Sequence, residues 1–366
     1  MVLRKHGFSK RFISAVEENV ETDAKQTIVA SHLLSYLHDK MKAAERDSKS
    51  RKSFGNIYAI FVVVEDYREK VENSDELLEI IDYQPAQFTD LFSRQRELFG
   101  GSKLQNHPLN ARCNMEFMNK RSTPDGPILR DQATQDYWVN QKYLIVQVGG
   151  DIVNISAAVI GVVEEYISAL KEGFTSFIEY IEHVIKTDDQ KTAQELILRH
   201  LGDGSDSRLF EIISFSIMHC HLSQFSTCIG PNQEELRRVP WTLYKTGRTN
   251  ANDGGIDFVL TPFGRFYQVT EEVDVVKWFL DIDKIARYPI TFVVKDSRTS
   301  EEIIAAIRSA ATEKLDADDV ATMMDCIEEV VNVPNLIRMF NHCVENNRLE
   351  CVMSHILTHS KVEFNQ

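Results

Sequence analysis

Two short runs rich in β-branched and aromatic residues, Ile256 to Leu260 and Arg265 to Thr270, are separated by Pro262 and Gly264 and constrain this chain more than any other stretch. Such residues fit a pleated, half-buried surface, and a proline and a glycine between them favour a tight reversal, so the spacing predicts two adjacent strands. What surrounds them narrows the choice. Val273, Val276, Phe279, Leu280 and Ile285 recur at largely helical spacing within 271–288, and Ile290 to Val294 is again apolar and β-branched. Residues 208–225 read as an apolar helix through Leu209, Phe210, Ile212, Ile213, Phe215, Ile217 and Met218, with Glu211 as its one acid. Helix, strand, strand, helix, strand is an α/β pattern, a mixed sheet flanked by helices.

The turn-forming run Asn252, Asp253, Gly254 and Gly255 leads into the first strand, where Asp257 enters directly from the loop. Asp257 on one strand and Gln268 on its neighbour can present oxygen atoms to one point at the sheet end. Mg²⁺ accepts so sparse a site when phosphate supplies the remaining ligands. Read structurally instead, the two side chains only cap turns.

These residues resemble the active-site motif of the PD-(D/E)xK nuclease superfamily, which includes most type II restriction endonucleases. In that family an Asp begins one strand, and the next carries Glu, Asp or Gln, a hydrophobic residue and then Lys. Asp257, Gln268 and Val269 match the first three positions, and the Asp-Gly-Gly-Ile-Asp run at 253–257 is similar to the Mrr-type subgroup. Thr270 stands where the lysine is expected, so the resemblance implies that a lysine from elsewhere replaces it. Lys245 and Lys277 are the candidates, with Lys245 preferred for its closeness in sequence to the metal loop. The resemblance implies a restriction-endonuclease-like core over roughly residues 205–296, Mg²⁺ held by Asp257 and Gln268, and Glu211 as a third ligand unless it is merely an acid favoured at a helix N-terminus. It further implies a site-specific endonuclease of double-stranded DNA in a restriction system, acting as a homodimer. Arg248 and Arg265 flank the motif, as phosphate contacts or as solvated strand-end residues.

The rest of the chain suggests two domains. With 366 residues and 43% hydrophobic content there is material for two cores, and the linker Gly202-Asp-Gly-Ser-Asp-Ser places the boundary after residue 201. Residues 1–201 are expected to be mainly helical and to serve DNA recognition and dimerisation. Residues 202–366 are expected to hold the nuclease core and C-terminal helices. No apolar run suits a signal peptide or a membrane span, which points to a cytoplasmic protein. The six dispersed cysteines lack a Cys-x-x-Cys pair and read as reduced thiols.

A net charge of −14 argues against a protein that coats nucleic acid, although a basic cleft within an acidic exterior still serves a site-specific nuclease. Residues 100–140 read as a polar, irregular segment. There Arg112, Lys120, Arg121 and Arg130 sit among asparagines, as a loop able to read base edges or as solvated surface. Cys351, His355 and His359 share a helical face, which reads as packing rather than a zinc site. Neither a Walker phosphate loop nor a Gly-x-Ser-x-Gly elbow occurs, so no nucleotide cofactor is expected. The alternative function is a helical interaction protein built on a catalytically degenerate nuclease-like core, suggested by Thr270 and the acidic composition.

Overall fold

In a computed structural model the described residues are 8–42, 51–71, 79–101, 104–202, 207–247 and 256–364. Arg248 and Asp253 lie outside them. The chain divides into two units, residues 1–177 and 178–366. The division falls within a helix rather than at the Gly-Asp-Ser linker after residue 201.

The first unit contains α1 (Phe8–Glu17), α2 (Ala24–Ala30), α3 (His32–Lys42), α4 (Arg51–Val71), β1 (Ala86–Gln87), α5 (Phe88–Glu97), α6 (Cys113–Arg121), β2 (Ile128–Asp131), β3 (Asp136–Val139), β4 (Ile145–Val148), β5 (Asp151–Asn154) and the start of α7 (Ser156–Thr187). Ile28, Val29, Leu33, Leu34, Leu37 and Met41 recur near helical spacing, which predicts one helix over 26–44, but the described part of that segment forms two, α2 and α3. Ser31 is extended between them, and its hydroxyl accepts from Leu34 N at 3.1 Å, capping α3. The apolar run Tyr58 to Val64, which by sequence suits either a buried strand or a helix, lies in α4 and is buried along its whole length.

Residues 100–140 are more ordered than their composition predicts. Asn114 of α6 accepts from Ile128 N at 3.1 Å and donates to Ile128 O at 2.6 Å, so its amide takes the place of a strand neighbour for β2. A Cβ at Gly126, two residues before this contact, would collide with that side chain, so the close approach requires glycine there. β2 pairs with β3, and β3 with β1, all antiparallel.

After α7, the second unit comprises α8 (Gln190–Leu201), α9 (Ser207–Leu222), β6 (Ser226–Ile229), β7 (Arg237–Pro240), β8 (Thr242–Lys245), β9 (Phe258–Thr261), β10 (Arg265–Thr270), α10 (Val275–Lys284), β11 (Ile290–Val294), α11 (Ser300–Thr312), α12 (Ala317–Asp325), β12 (Ile327–Val331), α13 (Val333–Glu345) and α14 (Leu349–Phe364). Its five-stranded sheet runs in the order β12, β11, β10, β9, β8. β9 runs antiparallel to both its neighbours, β8 and β10, whereas β10, β11 and β12 are parallel. Gly264, at φ 68°, closes the β9–β10 turn in a conformation that L residues rarely adopt.

Helices cover both faces of the sheet. Trp278 of α10 stacks on Phe292 at 4.0 Å within a core shared with α11 and α12. On the other face Phe215 of α9 meets Phe258 at 5.2 Å, and α9 in turn packs against α8, α13 and α14. Cover on both faces explains why all five residues of β11 are buried. Residues 317–331 read by sequence as one amphipathic helix, but the helix α12 ends at Asp325 and Ile327–Val331 is the strand β12. The expectation of reduced thiols also fails for one pair: Cys220 of α9 and Cys351 of α14, 131 residues apart, are disulfide-bonded. Among the described residues no helix is long and apolar enough to cross a membrane.

Candidate functional site at the end of the mixed sheet

The antiparallel register ends at the pair Tyr267 and Phe258, so Gln268 and Asp257, the next residue along each chain, lie at the same end of the sheet. Asp257 N donates to Tyr267 O at 2.8 Å, and Thr246 N donates to Asp257 O at 3.0 Å, so the strand ends of β8, β9 and β10 are tied together. The Asp257 carboxylate takes the next position in the ladder. Its Oδ2 accepts from Val269 N at 2.6 Å. Gln268 Nε2 donates to Val269 O at 3.3 Å, while its Oε1 is buried and accepts no hydrogen bond among the described residues.

Side-chain alternation along β10 decides what else can join these two. Phe266 packs against the core under α10, so Gln268 and Thr270 project to that same face. There Lys277, exposed in the first turn of α10, donates from Nζ to Thr270 Oγ1 at 3.0 Å. Thr270 Oγ1 donates onward to Glu272 O at 3.1 Å. A lysine from α10 thus reaches Thr270, where the resemblance leads us to expect a lysine.

Lys245 and Glu211 occupy the opposite face. Lys245 pairs in register with Phe258, lies over the Phe215 ring and meets Glu211 at 2.9 Å, with side chains only 13% and 8% exposed. Glu211 is therefore the counter-ion of Lys245, and the sheet stands between this pair and Thr270. Two residues that the sequence reading did not assign lie at the same strand ends. Lys295, immediately after β11, is an almost buried cation 3.4 Å from Glu271, which follows Thr270. The signal was present in position alone: an acid directly after one strand and a lysine directly after its parallel neighbour.

The arginines and lysines expected to touch DNA are mostly held by acids. Arg265 stands at the far end of β10 from Gln268 and pairs with Glu328 at 2.9 Å and Glu329 at 3.2 Å. In the first unit Lys120 meets Glu116 at 3.1 Å, and Arg121 bonds Asp39 and the Ser35 carbonyl. Both belong to α6 rather than to a loop. Arg112 is exposed at the end of a π-helical turn, and Arg130 is half-buried on β2.

No family model matches the chain, and no curated protein and no solved structure matches it.

Proposed function

We propose that this protein is a Mg²⁺-dependent endonuclease that cuts double-stranded DNA at specific sites in a restriction system, as a homodimer and without a nucleotide cofactor. The observation that carries the reading is that Asp257 and Gln268 lie at one sheet end, next along each chain from the paired Phe258 and Tyr267, with the buried Gln268 Oε1 accepting no hydrogen bond among the described residues. Carboxylate and carboxamide oxygens are the hard donors that Mg²⁺ takes, and a buried unpaired acceptor is the kind of group a cation satisfies. Asp257 and Gln268 would hold the ion, which when bound supplies charge stabilisation at the phosphate.

The remaining work falls to the chain's own groups. The Val269 amide orients the Asp257 carboxylate. Lys277 brings a positive charge to the face shared with Gln268, where it can attract and stabilise a phosphate oxygen. Glu211 and Lys245 neutralise each other and hold α9 to β8.

A second reading, a nuclease-like core retained as an interaction scaffold, is favoured by one observation: an Asp257 oxygen is already engaged by a backbone amide. Incubation of the purified chain with plasmid DNA and Mg²⁺ separates the two. Discrete fragments that disappear for Asp257→Ala support the nuclease, whereas intact plasmid at all Mg²⁺ concentrations supports the scaffold.

A further inference from the structure

The disulfide between Cys220 and Cys351 has a third neighbour capable of binding metal. The two sulfurs and one imidazole nitrogen of His355 all lie within 4.8 Å of one another. Cys351 and His355 are four residues apart on α14, hence on one helical face, and α9 supplies Cys220 from across the packing interface. Cys220 is buried, while Cys351 and His355 are half-buried, so the group is reachable from solvent at one side. His355 is backed by His219, at a ring separation of 4.3 Å, and His219 Nδ1 lies 3.0 Å from Leu243 O. Arg348 links the next layer, donating from Nη2 to Ser223 Oγ at 3.0 Å and to Cys351 Sγ at 3.7 Å.

We propose that this cluster is a redox-gated site for a soft divalent metal, with Zn²⁺ as its natural class of occupant. Two thiolates and one imidazole form a donor set that prefers Zn²⁺ over Mg²⁺, and three protein ligands leave the fourth tetrahedral position to water. Two thiolates bound at about 2.3 Å to a tetrahedral ion stand roughly 3.8 Å apart. A Cα separation of 6.4 Å suits either a disulfide or such a pair. The two states exclude each other, because a sulfur committed to the disulfide has no thiolate charge to offer. Opening the site consumes one equivalent of a dithiol: its two hydrogens pass to Cys220 and Cys351, and it leaves as its own disulfide. Zn²⁺ then displaces the two thiol protons into solvent. A two-electron oxidant such as a peroxide reverses this: the two thiolates give up two electrons to form the S–S bond, Zn²⁺ is released, and the peroxide takes two protons from solvent to leave as water and an alcohol or a second water.

The site is independent of the nuclease reading, since neither its ligands nor its test involves the sheet end. The full chain is prepared oxidised or reduced with a phosphine and freed of reductant without oxygen, then titrated with Co²⁺ as a spectroscopic substitute. The reduced chain is expected to bind one equivalent, with thiolate-to-cobalt charge-transfer absorption and the intense visible bands of a tetrahedral site, and Zn²⁺ should abolish both. The oxidised chain should show neither. Cys351→Ser and His355→Ala should each lose the tetrahedral bands, whereas Cys228→Ser, at an exposed cysteine outside the cluster, should retain them. Circular dichroism of each variant reports whether the fold survives. Absence of Co²⁺ uptake by the reduced parent chain overturns the proposal, and so does charge-transfer absorption that survives in a folded Cys351→Ser chain but is lost in Cys228→Ser.

Discussion

Lys277 Nζ lies 3.0 Å from Thr270 Oγ1, so the first turn of α10 brings an ammonium to the end of β10. The helix N-terminus gives a cation no help there, because its own partial charge is positive. The threonine hydroxyl is what fixes the lysine in place. Lys277→Ala is expected to lower plasmid cleavage by about 10²-fold, within the range seen when one charge-stabilising group is removed. Because Lys277 is exposed, the melting temperature should change little. Parent-level cleavage by the variant would show that this ammonium has no part in the reaction.

Lys245 should behave in the opposite way. Lys245→Ala leaves Glu211 as an almost buried, uncompensated acid, at a cost of about 3–5 kcal/mol. Replacing both residues by leucine should recover most of that loss, since a buried ion pair and an apolar pair of similar volume are often of comparable stability. Chemical denaturation of the two single variants and the double variant measures this. A stable Lys245→Ala protein that has lost only cleavage would instead place Lys245 in the catalytic machinery.

Asp257→Ala should abolish cleavage and also remove the acceptor for Val269 N, costing about 1–2 kcal/mol of stability. Gln268→Glu adds a charge at the sheet end that holds Asp257, without changing the side-chain length. If both groups face one ion, the Mg²⁺ concentration giving half-maximal cleavage should fall by roughly tenfold, equivalent to about 1.4 kcal/mol. An unchanged Mg²⁺ dependence would remove Gln268 from the site.

Acid stability provides a test in the first unit. Burial pushes the Glu116 carboxyl up, but its hydrogen bonds with Lys40 and Lys120 outweigh this and hold it below the usual carboxylate range. A carboxyl whose pKa is depressed on folding contributes stability that is present above its unfolded pKa and is lost as pH falls through the folded value. Glu116→Gln should therefore flatten the acid limb of the stability curve below about pH 4.5. It should also destabilise the protein at neutral pH, because Lys40, with a side chain only 6% exposed, loses its charge partner. Superimposable acid unfolding of parent and variant would remove Glu116 from the linkage.

A palindromic DNA site presents two equivalent phosphodiesters, so a twofold protein places one active site on each strand. Sedimentation should give a dimer, at least in the presence of DNA. A monomer both free and bound to DNA would end this reading.

Much of the second unit could be read from the sequence because its signals are local. β11 spans the expected Ile290 to Val294, and β9 and β10 flank Pro262 and Gly264, since residue type and alternation act over a few neighbours. β8 and β12 were not legible. Each is a short segment that becomes a strand through pairing with β9 or β11, and that pairing energy is non-local. The break at Ser31 and the order within residues 100–140 came from side-chain hydrogen bonds, which composition does not reveal. For the site, the sequence by itself named Asp257, Gln268, Thr270 and the two candidate lysines. Only the tertiary structure set Lys277 on the face of Thr270 and Lys245 on that of Glu211, because the sheet's alternation and the helices covering it determine which face each side chain meets. The same holds for Cys220 and Cys351: their spacing along the chain carried no signal, and the packing of α9 on α14 brought them together.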